Sequence, residues 1–315
     1  MRLTLADLTD EARARLKSPR PADAFRSWLE GAPEWVRLGF SGLGARPGTG
    51  QWDDLVRDFF STAPEHLARF LEAREWPRAV EMTMNRSAEL LGDTPTQVIV
   101  SVLVGLGRRN AHPGLWRGRG YAFVFLEHFL PPGSNSGWLD LGVDAIPIWL
   151  GHEIGHAVRY SAPGTRSLVP RATEGVDPWL FWDVVESLPL RERFLDEGLA
   201  TAFSRAVAPA STDEAILGMS PHALEWLEAH GAELLRRRAS EWDLDCANPP
   251  SERLRDALWD ERDRWEPPWT FDRPPSRWGY FAGERFFAPR CEGHWRERLS
   301  ACSRSTPAPN NSPWT

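Results

Sequence analysis

The chain has 315 residues, with 44 acidic side chains against 37 basic ones and a net charge of −7. That length suits one large or two modest domains, and an acidic chain of pI ≈ 5.7 without a basic stripe argues against a nucleic-acid partner. No stretch is long and apolar enough to span a membrane, Met1 to Asp7 lacks the apolar run of a signal peptide, and three scattered cysteines (Cys246, Cys291, Cys302) suggest a reducing compartment, so a cytoplasmic protein is expected.

Residues 1 to 92 read as helical. Phe25, Trp28 and Leu29 have helical spacing, as do Leu55, Phe59 and Phe60, then Leu67, Phe70 and Leu71, and Ala79 to Leu91 continues the pattern. The glycine-rich stretch Gly42 to Gly50 is interrupted by Pro47 and follows no strand, so it reads as a linker and not a phosphate loop. Gln97 to Val104 is apolar and β-branched, and Tyr121 to Leu126 is a second strand. Gly105-Leu106-Gly107 hints at a dinucleotide fingerprint, but Asn110 replaces the third glycine and His112-Pro113-Gly114 cannot open a helix. The two strands are expected to belong to a small antiparallel sheet.

The stretch His152-Glu153-Ile154-Gly155-His156 then carries the chemistry. Histidines four apart share one face of a helix, where two imidazoles can hold Zn²⁺, which accepts such ligands at ~2.0–2.1 Å. Glu153 sits between them, placed to take a proton from water as general base. The flanks are helical: Pro147 is tolerated in a first turn, and Pro163-Gly164 stops a helix running from near Ile146 to near Tyr160.

A catalytic zinc has three protein ligands and an open position. The stretch after His156 holds Arg159-Tyr160, without the glycine and third histidine of the metzincin pattern. A carboxylate on a later helix is the alternative. Ser187 and Pro189 read as a helix start, and the run that follows contains Asp196 and Glu197. Phe194 and Thr201 flank Glu197 on one face, and the small residues Gly198, Ala200 and Ala202 allow this helix to press against the first. Glu197 is the candidate third ligand, with Asp196 behind it; a solvated acidic pair is the plain alternative. Arg117, Arg119, Arg191 and Arg193 read as scattered surface charge.

These pieces, His-Glu-Ile-Gly-His-Ala-Val-Arg-Tyr from His152, then Glu197-Gly198-Leu199-Ala200, then Gly279-Tyr280-Phe281-Ala282-Gly283, resemble the gluzincin group of zinc metallopeptidases. More narrowly, the chain is similar to an uncharacterised bacterial domain family of predicted zinc-dependent proteases, over roughly residues 96 to 290. The resemblance implies an α+β, mostly helical, zincin-like metallopeptidase core. It implies zinc held by His152, His156 and Glu197, and Glu153 as base acting on a peptide or protein substrate. It also implies that an edge strand of the sheet binds the substrate by β-addition. Many gluzincins carry an aspartate four residues after the ligand glutamate; here Thr201 stands there. Tyr280 is the candidate oxyanion donor, ahead of His112, His128 and Tyr160, with an aromatic core position as its plain alternative.

The organisation that follows is a helical region over 1–92, a metallopeptidase domain over 93–302 and a disordered tail over 303–315. Within the domain, Thr212-Asp213 and Ser220-Pro221 mark helix starts, Ala223 to Leu235 reads as one amphipathic helix, 248–276 as partly irregular, and Gly279 to Phe287 as a last helix. Seventeen tryptophans have no evident account in the sequence. Two other readings stay open: a non-catalytic zinc-binding regulatory or interaction module, favoured by a fourth protein ligand, and a metallohydrolase of a non-peptide amide, favoured by a closed pocket.

Overall fold

A computed structural model describes residues 2–62, 64–93, 96–134, 139–238, 267–290 and 293–301. Helices dominate, with one four-stranded mixed sheet, so the α+β class holds while the antiparallel sheet does not. The sheet order is β1-β2-β4-β3, from β1 (Arg2–Asp7), β2 (Gln97–Leu103), β3 (Ala111–Trp116) and β4 (Arg119–Phe125). β1 and β4 both run parallel to β2, and only β3 is antiparallel to its neighbour β4.

Two strands were not legible. β1 corrects the helical reading of the first residues: its partner, Gln97 onward, is some ninety residues away in sequence. β3 contains Pro113 and Gly114, both poor strand formers, but it lies at the sheet edge, where a missing N–H is tolerated. It turns into β4 through Arg117 and Gly118, both at positive φ (49° and 74°), the conformation of a tight hairpin.

The N-terminal helices are α1 (Thr9–Leu16), α2 (Pro21–Gly31), α3 (Glu34–Leu38), α4 (Gly50–Thr62), α5 (Pro64–Leu71) and α6 (Glu75–Leu91). They account for part of the tryptophan content. Trp28 and Trp52 lie 5.7 and 6.4 Å from the Phe25 ring, and Phe40 and Phe60 close the cluster. Such aromatic packing buries much apolar area per residue.

The central helix α7 (Ile146–Ser161) bears the His-Glu-x-x-His stretch, with Pro147 in its first turn as expected. It lies on the sheet at Gly120 of β4, where any Cβ would overlap the Ala157 carbonyl. After α8 (Val169–Ala172) and α9 (Phe181–Glu186), α10 (Leu190–Val207) packs along α7. The small residues that permit this approach are Gly151, Gly155 and Ala200: a Cβ added at Gly155 would stand 3.1 Å from Ala200 Cα. Gly198 faces elsewhere, against the backbone of Gly283. Ser204 Oγ also donates to the Ile148 carbonyl at 2.7 Å.

The starts at Thr212 and Ser220 are real caps, each side-chain oxygen accepting from the backbone N–H three residues on, for α11 (Asp213–Leu217) and α12 (Pro221–Arg237). α13 (Trp278–Ala282) continues into a π turn (Gly283–Phe287). A further helix, α14 (Trp295–Ala301), follows the one expected to be last. The cysteines, the tail and the stretch up to residue 266 lie outside the described residues. No helix among the described residues is long and apolar enough to cross a membrane.

Candidate metal centre

α7 and α10 meet at three side chains. His152 Nε2 and His156 Nε2 are 3.0 Å apart, and Glu197 Oε2 lies 3.1 Å from the first and 3.3 Å from the second. Ligands bonded at ~2.0–2.1 Å in a tetrahedron stand roughly 3.3 Å apart, so this spacing fits a small divalent cation. The group is buried and can hold a metal ion, and it is the one cluster of this kind among the described residues. His152, Glu153, His156 and Glu197 are 6, 5, 2 and 2 % exposed, which rejects the solvated acidic pair.

The protonation states suit ligation. Burial pushes His156 down to about 4, against the pull of Glu197, so its imidazole is neutral near pH 7. Burial also opposes the charge on Glu197, but His156 and Arg193 outweigh it and hold the carboxyl well below the usual carboxylate range. Tyr160 Oη lies 3.2 Å from His156 Nδ1. With Nε2 offering its lone pair to a cation, Nδ1 carries the proton and donates to the phenol oxygen, which fixes the ring.

Arg193 is the main residue that sequence reading misplaced. It is 2 % exposed, not a surface charge, and its Nη2 donates to Glu197 Oε1 at 2.9 Å. That bond leaves Oε2 for the histidines. Its signal was available: Arg193 precedes Glu197 by four residues, one helical turn. Together Tyr160 and Arg193 orient the ligands, while Thr201 is buried with an unpartnered hydroxyl.

Asp196 turns the other way. It pairs with Arg159, which also donates to Glu192 at 3.1 Å and to the Leu299 carbonyl at 2.9 Å. This buried cluster ties α7, α10 and α14 together behind the centre, and it removes Asp196 as a ligand.

Glu153 sits one residue past His152. Burial, then the charge of Glu197, pushes its carboxyl well above the ordinary range, while Arg109 and Arg193 pull it down. A cation at the triad would add to that downward pull. Its Oε2 is buried with no hydrogen-bond partner. Tyr280 is brought to the site: its ring stacks on His152 with centroids 5.8 Å apart, and burial, then Glu197, raises its phenol above the usual range. It therefore stays protonated and able to donate.

Neither His112 nor His128 is hydrogen-bonded to the triad. His112 lies on β3, 3.1 Å from Ser41 Oγ, with the Trp182 ring 4.9 Å away; His128 is buried with both ring nitrogens unpartnered. The His112 side chain is packed between Ser41 and Trp182, and nearby Arg109 donates to the Gly42 carbonyl at 2.7 Å. Gly105 and Gly107, the rejected fingerprint, donate their N–H groups to Glu127 at 3.0 Å each, so that loop is closed on a carboxylate. No family model, curated protein or solved structure matches the chain.

Proposed function

We propose that the chain is a zinc-dependent peptidase of the gluzincin type, with a zincin-like core, acting on a peptide or protein substrate. The observation that carries this reading is the convergence of His152 Nε2, His156 Nε2 and Glu197 Oε2 within 3.0–3.3 Å, with Glu153 on the same helix. Two imidazoles and one carboxylate are the donor set of catalytic zinc. The sheet laid on α7, with α10 supplying the third ligand, supports the zincin-like reading.

His152, His156 and Glu197 would hold the ion, which when bound supplies Lewis acidity toward a substrate carbonyl and makes water a competent nucleophile near neutral pH. Glu153 accepts the proton of the attacking water and returns it to the leaving amine. Tyr280, kept protonated by its surroundings, donates toward the oxygen that gains charge. Arg193 and Tyr160 hold Glu197 and His156 in place throughout.

The test is Glu153→Gln. The variant is expected to bind zinc as tightly as the parent and to lose at least ~10²-fold in peptide hydrolysis. Full activity in that variant ends the mechanism. A purely structural zinc site, closed by four protein ligands, is the second reading. The described residues offer three, and a buried base beside them has no structural use.

A further inference from the structure

We infer that Arg193, Arg109 and Trp182 form a receptor for a carboxylate of the substrate, beside the metal triad. This rests on the peptidase reading and names the class of substrate it takes: peptides carrying a negative charge next to the bond that is cut.

Three observations carry it. First, Arg193 spends one nitrogen on Glu197, yet its Nε and Nη1 are buried without any hydrogen-bond partner. A guanidinium presents five N–H donors, and leaving them unmet in a buried place is costly. Second, Arg109 lies on the same indole. The guanidinium carbons of Arg109 and Arg193 stand 4.8 and 4.9 Å from the Trp182 ring, whose own Nε1 is also buried and unpartnered. Arg109 is held there by the Gly42 carbonyl, while Glu186 stays 3.7 Å away, beyond a good hydrogen bond. Third, Arg193 is bonded to Glu197 of the triad and shares the Trp182 ring with Arg109, so the unmet donors lie beside the triad and not in a remote core.

The inventory of hydrogen-bonding groups points the same way. The surplus of donors over acceptors selects an acceptor-rich group, and a carboxylate offers two oxygens to Arg and Trp N–H groups. A free peptide C-terminus and an acidic side chain share that chemistry.

The experiment measures binding and not turnover, by calorimetry on the zinc-loaded full chain carrying Glu153→Gln. Three probes are compared: acetyl-trialanine with a free C-terminus, its C-terminal amide, and acetyl-Ala-Asp-Ala amide. At least one carboxylate-bearing probe is expected to bind 10-fold or more tightly than the uncharged amide. Preference for the first assigns the site to a C-terminal carboxylate; preference for the third assigns it to an acidic side chain. Equal affinity for all three, within twofold, overturns the proposal whatever any variant does. Adding Arg109→Gln or Arg193→Lys should cut the preference below threefold, and retention of the full preference in both also overturns it. The two readings fail separately. Peptide cleavage without charge preference would leave the peptidase and remove the receptor. Carboxylate-selective binding in a chain that cleaves no peptide would do the reverse.

Discussion

The phenol oxygen of Tyr160 lies 3.2 Å from Nδ1 of His156, one turn further along α7, with both side chains buried. A tyrosine thus fixes the tautomer of a candidate ligand. Removing the hydroxyl with Tyr160→Phe is expected to weaken zinc binding roughly 10–100-fold. Competition against a chromophoric chelator measures it, and unchanged affinity would show that the contact does not tune the ligand.

Gly198, the neighbour of Glu197, has no room for a side chain, because a Cβ there would run into the Gly283 backbone. Gly198→Ala is expected to cost ~1–3 kcal/mol or more in urea unfolding, since the obstacle is main chain that cannot rotate aside. The same change should displace Glu197 and reduce zinc content. A variant as stable as the parent would mean that α10 and the π turn separate easily.

Glu127 supplies a pH-dependent prediction away from the metal. Burial raises its carboxyl to about 7, against the two glycine N–H bonds that favour the charged form. A carboxyl with a raised folded-state pKa binds its proton more tightly in the native chain than in the unfolded one. Its contribution is therefore full below the ordinary value of 4.5 and is lost as pH rises toward about 7. The stability difference between the parent and Glu127→Gln should shrink across that window, by an amount on the order of 3 kcal/mol. Urea unfolding at several pH values measures it, and a constant difference would contradict it.

Much of the centre was legible because it follows helical spacing. His152 and His156 at four residues, the proline in the first turn and the caps at Thr212 and Ser220 are local signals, and each stands where it was expected. What the sequence hid depends on distant partners. β1 makes sense only beside β2, and β3 keeps Pro113 because, among the described residues, no strand pairs with its outer edge. Arg193 looked like surface because its identity says charge, while its burial follows from Glu197 and the Trp182 ring. The contact of the Tyr160 phenol with His156 Nδ1 shows only once the helix is built.

The most direct measurement is zinc content of the purified chain after dialysis, compared with Glu197→Gln under identical conditions, with circular dichroism to verify the fold. The account predicts one zinc per parent chain, and loss of most of it from a folded variant. A folded Glu197→Gln chain that keeps stoichiometric zinc with the parent's affinity would contradict the claim that these two helices jointly hold the ion.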